Sequence, residues 1–362
     1  MKKLKVGIVG CGFIARGKHL PALKNLSDTA EITALCDIIK ERADDMNEKF
    51  ANGKAKIFTD YKEMLKLELD AVYVCTPNVS HAEITVAALE SGKHVMCEKP
   101  MAINSREAQK MLDAQKKSGK LLTIGYQNRY RNDSVFLKKC CEAGDLGEIY
   151  FAKAHAVRRR GVPTWGVFLD KEKQGGGPLI DIGTHALDLA LYSMNNYEPL
   201  YACGTTYHKL NNDTQTANSG GDWDPKKFTV EDSAFGFVVM KNGATIFLES
   251  SWALNTTDVR EASVTLCGTK GGATMPQIGK LELNGVKNNA KFAYSPDFVA
   301  GTFAYLDGKP ANEGDLEAKT FLDAISGRGK LVVLPEQAMV VTKILEGIYD
   351  SAETGKPHYF ER

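Results

Sequence analysis

The sequence predicts an α/β chain in two parts: a parallel sheet covered by helices up to Gly125, then a second α/β region built on a meandering antiparallel sheet. Three observations predict it. Short apolar runs alternate with helical periodicity from Leu4 onward, a Gly-x-Gly-x-x-Ala turn stands between the first run and the first helix, and after Met194 the period becomes strand-like.

Length and composition bound the possibilities. At 362 residues the chain exceeds one ordinary core, and an apolar fraction of 43% with 25% charged residues is that of a soluble globular protein. The 46 basic and 45 acidic residues leave a formal charge of +1, which implies no polyanionic partner. The one tight basic run, Arg158-Arg159-Arg160, is too short to argue for nucleic acid. No stretch approaches the roughly 20 apolar residues of a membrane span. The basic start MKKLKVGIVGCG has a short apolar part interrupted by Lys5 and runs into glycines, so it reads as a strand rather than a leader. Eight cysteines without a CxxC pair, mostly in apolar runs, suit reduced thiols and a cytoplasmic location. No metal-binding pattern is present, and no metal is expected.

In order along the chain, Leu4 to Val9 is the first strand and a helical pattern follows to Leu26. Between them lie Gly10, Gly12, Phe13, Ile14 and Ala15. The first glycine permits a tight turn, the second lets the backbone approach a pyrophosphate, and the small third residue lets helix pack on strand. Glu31 to Cys36 is the second strand, and Asp37 ends it. A carboxylate there can accept the adenosine ribose hydroxyls and repel a 2′-phosphate; with Ile38 and Ile39 following, NAD is favoured over NADP, against which Lys40 and Arg42 count.

The alternation continues through strands Ala55 to Phe58, Ala71 to Cys75, His94 to Cys97 and Leu121 to Gly125, with helices Tyr61 to Leu67, His81 to Ser91 and Ser105 to Ser118. This is a dinucleotide-binding (Rossmann) pattern, in which ligands bind beyond the carboxyl ends of the strands. Two ends carry polar groups: Thr76-Pro77-Asn78 with His81 opening the next helix, and Glu98-Lys99-Pro100. Lys99 at such an end reads as a functional cation rather than an ordinary surface lysine.

Gln127 and Asn128 leave the last parallel strand, Val135 to Ala143 is helical, and Gly147 to Val157 is a strand that ends at Arg158. The glycine-rich segment Gly161 to Gly177 reads as a loop; Trp165 and Arg158 either offer a sugar or nicotinamide an aromatic wall and a cation, or simply pack and solvate. GGGPLIDIGTHALDLALYSM, Gly175 to Met194, is an apolar helix whose polar exceptions are Asp181, His185 and Asp188, spaced four and three so that a regular helix stacks them on one face. A carboxylate one turn before an imidazole is a plausible general-base pair, though a solvated face or a satisfied core histidine has the same pattern.

These residues resemble the Gfo/Idh/MocA family, named for glucose-fructose oxidoreductase and inositol dehydrogenase. The matching strings are VGIVGCGFIARGKHLPAL (Val6 to Leu23), VCTPNVSHAEITVAALESGKHVMCEKPMA (Val74 to Ala102) and GGGPLIDIGTHALDLAL (Gly175 to Leu191). The resemblance implies a nicotinamide-binding domain over 1–126, and over 127–362 a substrate-binding and oligomerisation α/β domain with an open, mainly antiparallel sheet. It also implies Lys99, Asp181 and His185 as catalytic residues, and Gln127 and Asn128 near nicotinamide or substrate. The GVPTWGVF loop looks closer to glucoside dehydrogenases, with the C3 hydroxyl as the candidate position, than to biosynthetic nucleotide-sugar enzymes.

After Met194 the strand-like runs are Tyr201 to Tyr207, Asp232 to Met240, Ala244 to Trp252, Glu261 to Cys267 and Lys280 to Leu283, with Asn242-Gly243 and Asn284-Gly285 as hairpin signals. Alternating Phe235, Phe237 and Val239 with Phe247 either line an open face that pairs subunits or face the helices. Lys209 to Lys227 reads as an exposed loop or lid, and helices Glu313 to Ser326 and Pro335 to Thr354 close the chain.

The expectation is therefore an NAD-dependent oxidoreductase acting on a secondary hydroxyl of a sugar, glycoside or cyclitol, a homo-oligomer without nucleic-acid or membrane partners. Two alternatives stand beside it: a glycoside-cleaving enzyme that uses tightly bound NAD in a redox-assisted reaction, and a non-catalytic NAD-binding sensor.

Overall fold

The computed structural model describes residues 2–213, 215–298, 305–306 and 309–360. In chain order the first elements are β1 (Leu4–Val9), α1 (Leu20–Asn25), β2 (Ala30–Cys36), α2 (Lys40–Ala51), β3 (Lys56–Phe58), α3 (Tyr61–Met64), β4 (Ala71–Val74), α4 (His81–Glu90), β5 (His94–Cys97), α5 (Ser105–Ser118) and β6 (Leu122–Ile124). They are followed by α6 (Asn132–Glu142), β7 (Ile149–Val157), α7 (Lys171–Gln174), α8 (Thr184–Met194), β8 (Pro199–Tyr207), β9 (Ser233–Met240) and β10 (Thr245–Ser251). The last are β11 (Arg260–Gly268), β12 (Gly271–Thr274), β13 (Glu282–Lys287), β14 (Ala290–Tyr294), β15 (Tyr305–Leu306), β16 (Lys309–Pro310), α9 (Glu313–Ile325), α10 (Pro335–Thr354) and β17 (His358–Tyr359). Five-residue π-helical turns, Ala15–His19 and Leu179–Gly183, lead into α1 and α8.

The chain forms two units, Met1–Gln127 with Ala300–Met339, and Asn128–Val299 with Val340–Arg362. In the first, six strands lie in the order β3-β2-β1-β4-β5-β6, every pairing parallel. That order reverses direction of growth at β1 and β4, the place where such sheets bind dinucleotides. Near-continuous apolar strands are needed because helices cover both faces, and Val6, Ile8, Leu35, Val72 and Val95 are completely buried. The helix α2, which periodicity had left unassigned, is polar on its outside and anchors on Ala43 and Met46.

The partition differs from the expected break at 126/127. Gln127 stays with the first unit, and α9 returns to it: Ala318, Phe321 and Leu322 join the cluster around Val6, Ile8 and Leu23. Asn25 Nδ2 donates to Asp315 Oδ1 at 3.0 Å, and Thr123 Oγ1 to the Val333 carbonyl at 2.9 Å. An apolar stripe on a late helix carries no mark of which sheet it will cover.

In the second unit nine strands run β14-β13-β12-β11-β7-β10-β9-β8-β17. The sheet is mainly antiparallel as expected, but it is not a simple meander, because β7 inserts between β11 and β10 and pairs with β10 in parallel. Along β9 and β10, Ala234, Val238, Met240, Ile246 and Leu248 are buried, whereas Phe235, Phe237 and Val239 are half-buried and Phe247 is 44% exposed. The alternating aromatics therefore lie on the face away from the covering helices. Phe151, Phe247, Phe237, Tyr201 and Tyr359 make a chain of ring contacts across it, with centroids 5.2 to 6.3 Å apart.

Candidate active site

The glycine turn of the first unit has the shape that its sequence demands. Gly10 sits at φ 92°, and a Cβ there would lie 2.5 Å from the Cys75 carbonyl oxygen, so no other residue fits. Around Gly12 a Cβ would meet no atom within 4 Å, which leaves that backbone open to a close ligand. Ala15 is buried, Ile14 half-buried and Phe13 79% exposed. Asp37 ends β2 and is pinned by the backbone, Oδ2 accepting from Cys11 N at 2.8 Å and Oδ1 from Ile39 N at 2.9 Å. Its carboxylate keeps further lone pairs for a diol, and Ile38 beside it is 87% exposed. An open glycine turn beside a fixed acidic acceptor fits a dinucleotide without a 2′-phosphate.

Beyond β4 and β5, the structure gives two of the expected contact residues other work. His81, 1% exposed, turns Nε2 to the Thr76 carbonyl at 2.9 Å and Nδ1 to the Pro100 carbonyl at 2.8 Å. It ties the Thr76-Pro77-Asn78 turn to the loop that carries Lys99, and burial lowers its basicity. Glu98, 4% exposed, is filled from inside the protein: Lys18 Nζ at 2.5 Å and His19 Nε2 at 2.7 Å on Oε1, and the Lys99 backbone N–H at 3.0 Å on Oε2. Lys18 also reaches Glu317 Oε2 of α9 at 2.9 Å and Gln127 Oε1 at 3.4 Å. Burial alone would raise the Glu98 carboxyl, but the adjacent Lys18 and His19 hold it well below the usual range; Glu317 is pushed up by burial. Lys99 is itself half-buried. Reading the sequence had not joined Lys18, His19 and Glu317 to this motif. The first two lie inside the matched amino-terminal string, but nothing marks Glu317.

In the second unit the expected polar line divides. The π turn Leu179–Gly183 contains Asp181, so the regular register assumed for the 181, 185, 188 spacing does not hold through it. Asp181 is half-buried and its Oδ2 accepts from Trp252 Nε1 at 3.0 Å. His185 lies on α8 and is 8% exposed. Asp188 belongs to the core: Arg129 Nε and Nη2 clasp it at 2.6 to 3.2 Å, the guanidinium stacks 4.5 Å from the Tyr192 ring centroid, and both partners are at most 1% exposed. Arg129 is the neighbour of the expected Asn128, which is half-buried in the turn Gln127–Tyr130.

Arg158 is held at both ends of its fork by Glu261, at 2.7 and 2.5 Å, and donates from Nη1 to the Gly161 carbonyl at 3.1 Å. Trp165 is 49% exposed and meets Phe168 edge to face. The two segments expected to be separate loops are stitched together. Asn218 exchanges hydrogen bonds with Val162 N and O at 2.8 and 2.9 Å, Thr164 Oγ1 donates to the Gly220 carbonyl, and Ser219 N donates to the Arg160 carbonyl at 3.2 Å. The supposed exposed loop also buries Thr216 and Trp223. Among the described residues, no group of His, Cys, Asp or Glu is placed to hold a metal, and no helix is long and apolar enough to cross a membrane.

Comparison with known proteins adds a lineage to this geometry. The family described as "Oxidoreductase family, NAD-binding Rossmann fold" matches residues 4–126, and a GFO/IDH/MocA C-terminal domain matches residues 135–274. The chain is 36% identical over 353 residues to a D-glucoside 3-dehydrogenase of Escherichia coli K12, covering 97% of this chain and 96% of that one. It is 37% identical over 147 residues to an inositol 2-dehydrogenase of Salmonella typhimurium, covering 40% and 43%. Its fold is similar to a crystal structure of an oxidoreductase domain protein from Kribbella flavida, with TM-score 0.86 and 22% identity over all of both chains.

Proposed function

The chain belongs to the Gfo/Idh/MocA family of NAD-binding oxidoreductases, and from that premise we propose that it oxidises a secondary hydroxyl of a sugar-type substrate, a glucoside at C3 first and a cyclitol second. One observation carries the order: likeness to the glucoside 3-dehydrogenase runs the length of both chains, whereas likeness to the inositol enzyme stops at 147 residues.

In this reading the first unit holds NAD, with Gly10, Gly12 and Ala15 along the pyrophosphate, Asp37 on the adenosine ribose, and Phe13, Ile14 and Ile38 around it. Thr76, Pro77 and Asn78 border the nicotinamide half, and Gln127 lies with them. Bound NAD supplies the hydride acceptor. The chain's own residues handle the proton and the oxygen. His185 takes the hydroxyl proton, as an imidazole base can. Lys99 stabilises the developing alkoxide charge with its ammonium. Asp181 grips a neighbouring hydroxyl or orients His185, and Asn128, Trp165 and Arg158 border the sugar, Arg158 through a guanidinium already committed to Glu261. His81 and Glu98 support the two cofactor loops from beneath.

A cytosolic location and self-association through the aromatic sheet face belong to the same proposal. The first is supported by eight cysteines that are all free thiols, the second by Phe247 and its ring neighbours lying on the uncovered face.

The test is NAD reduction against free hexoses, inositols and alkyl or aryl glucosides. NADH accumulating with glucosides first supports the reading. Release of the aglycone without NADH would replace it by redox-assisted glycoside cleavage, and NAD binding without turnover of any of these would leave a sensor.

A further inference from the structure

We propose that Trp252 is a positioning residue for Asp181, and that residues 223–232 set Trp252; the proposal deepens the functional reading above and rests on Asp181 contacting substrate. Trp252 follows β10 and is completely buried, with its indole N–H 3.0 Å from Asp181 Oδ2. An indole nitrogen can only donate, and leaving a buried donor unmatched is costly, so the pair is fixed from the tryptophan side. Asp181 itself is half-buried, so part of its side chain meets solvent. A neutral donor orients the group without cancelling its charge. The nearby cation, Arg158, feels Asp181 electrostatically but gives its fork to Glu261.

Residues 223–232 reach the same aspartate indirectly, by two routes. Through side chains, the Phe228 and Trp252 ring centroids lie 6.3 Å apart and those of Trp223 and Phe228 5.9 Å apart, while Trp223 donates from Nε1 to the Asn211 carbonyl at 2.9 Å. Through the backbone, Glu231 Oε2 accepts from Gly177 N at 2.9 Å and Oε1 from Leu179 N at 3.2 Å, with Tyr349 Oη donating to Oε1 at 2.8 Å. Gly177 in turn accepts from Asp181 N at 3.0 Å. The glycine run, the π turn and the indole thus hold Asp181 between a buried carboxylate and a buried aromatic stack. A regular α-turn would present the carboxylate at another angle, and Trp252 is placed where the π turn delivers it.

The experiment is a double-mutant cycle of W252F and D181N in the full chain, reading kcat and KM for a turned-over glucoside against pH, NAD affinity from cofactor fluorescence, and melting temperature. W252F keeps a ring in the stack and removes the donor. Its kcat/KM is expected to fall about ten- to hundred-fold, the worth of a hydrogen bond to a charged group. The acid limb of the profile should move to higher pH, because the lost donor favoured the ionised carboxylate. NAD affinity and melting temperature should stay near parent, and W252F should add little once Asp181 is already Asn. A parent-like W252F rate and acid limb beside an impaired D181N, or losses that simply add, would overturn the proposal while leaving the functional reading in place. A D181N enzyme at the parent rate would remove that reading and this proposal together. If W252F does not fold, Trp223→Leu tests the same chain: a higher KM for the sugar supports it, and a folded variant with parent kcat/KM overturns it.

Discussion

The two units hold their buried charges in the same way but advertise them differently. In the first, the glycine turn, the acidic end of β2 and the Glu98-Lys99 turn each occupy a few adjacent residues, and each sits where a strand ends. In the second, Asp181 depends on Trp252, the helix entry on Glu231, and Asp188 on Arg129, partners 71, 52 to 54 and 59 residues away. A strand-turn-helix unit carries its geometry in local sequence, whereas a helix placed against a mixed sheet receives its chemistry from elsewhere in the chain. Polar residues three positions apart on one helix can therefore differ in role, as we propose for Asp188 and His185.

The largest effect should separate those fates. His185→Ala is expected to lower turnover by roughly 10²- to 10⁴-fold, as removal of a general base does, with NAD affinity nearly intact. Single-turnover hydride transfer beside a melting curve reads both. Asp188→Ala should do the reverse, leaving the Arg129 cation buried and unpaired and costing about 3–5 kcal/mol of stability, with turnover per folded molecule retained. If His185→Ala destabilises without slowing chemistry, His185 belongs with Asp188 in the core.

The first unit offers the matching experiment in Lys18→Met, which leaves Glu98 and Glu317 buried without their shared cation. The loss should again be about 3–5 kcal/mol near neutrality, measured by denaturant unfolding. It should shrink on acidification for two reasons. In the parent, Glu98 is depressed, so its stabilisation is present above the unfolded carboxyl value and lost as pH falls toward the folded one. In the variant, carboxyls raised by burial recover stability as they protonate. A deficit that is constant with pH would contradict the charge cluster.

Cofactor choice comes next. Asp37→Ser with Ile38→Arg should weaken NAD by about ten- to hundred-fold, the scale of one charge-assisted hydrogen bond, and favour NADP in initial rates. Equal use of both cofactors by the parent would remove Asp37 as the selector. The smallest effect on turnover is expected from Phe247→Glu on the uncovered sheet face, which should dissociate the proposed oligomer in light scattering with each unit still folded. A parent that is already a monomer would assign that face another role.

Much of this was legible in the sequence because it was local. Strand runs, the GxGxxA turn and Asp37 mark the parallel sheet without reference to distant residues, and Asn242-Gly243 marks the β9–β10 hairpin; Asn284-Gly285, expected as a second hairpin turn, lies inside β13, and the turn falls at Asn288-Asn289, both at positive φ. What was not legible needed a third dimension. The parallel insertion of β7 beside β10, the return of α9 to the first unit, and Glu317 beneath Lys18 depend on which surfaces meet. The π turn was hidden for another reason: apolar periodicity assumes one register, and an inserted residue shows only once the hydrogen bonds are formed. That same insertion separates Asp181 from the line on which it was expected.

The most direct measurement uses an alkyl glucoside carrying deuterium at C3, incubated with the enzyme and NAD, with the reduced cofactor analysed by mass spectrometry. The account predicts singly deuterated NADH and a slowed hydride-transfer step in the parent, with the same labelled product formed roughly 10²- to 10⁴-fold more slowly by His185→Ala. Unlabelled NADH would place the oxidation at another carbon, and no NADH from any glucoside would contradict the proposed reaction itself.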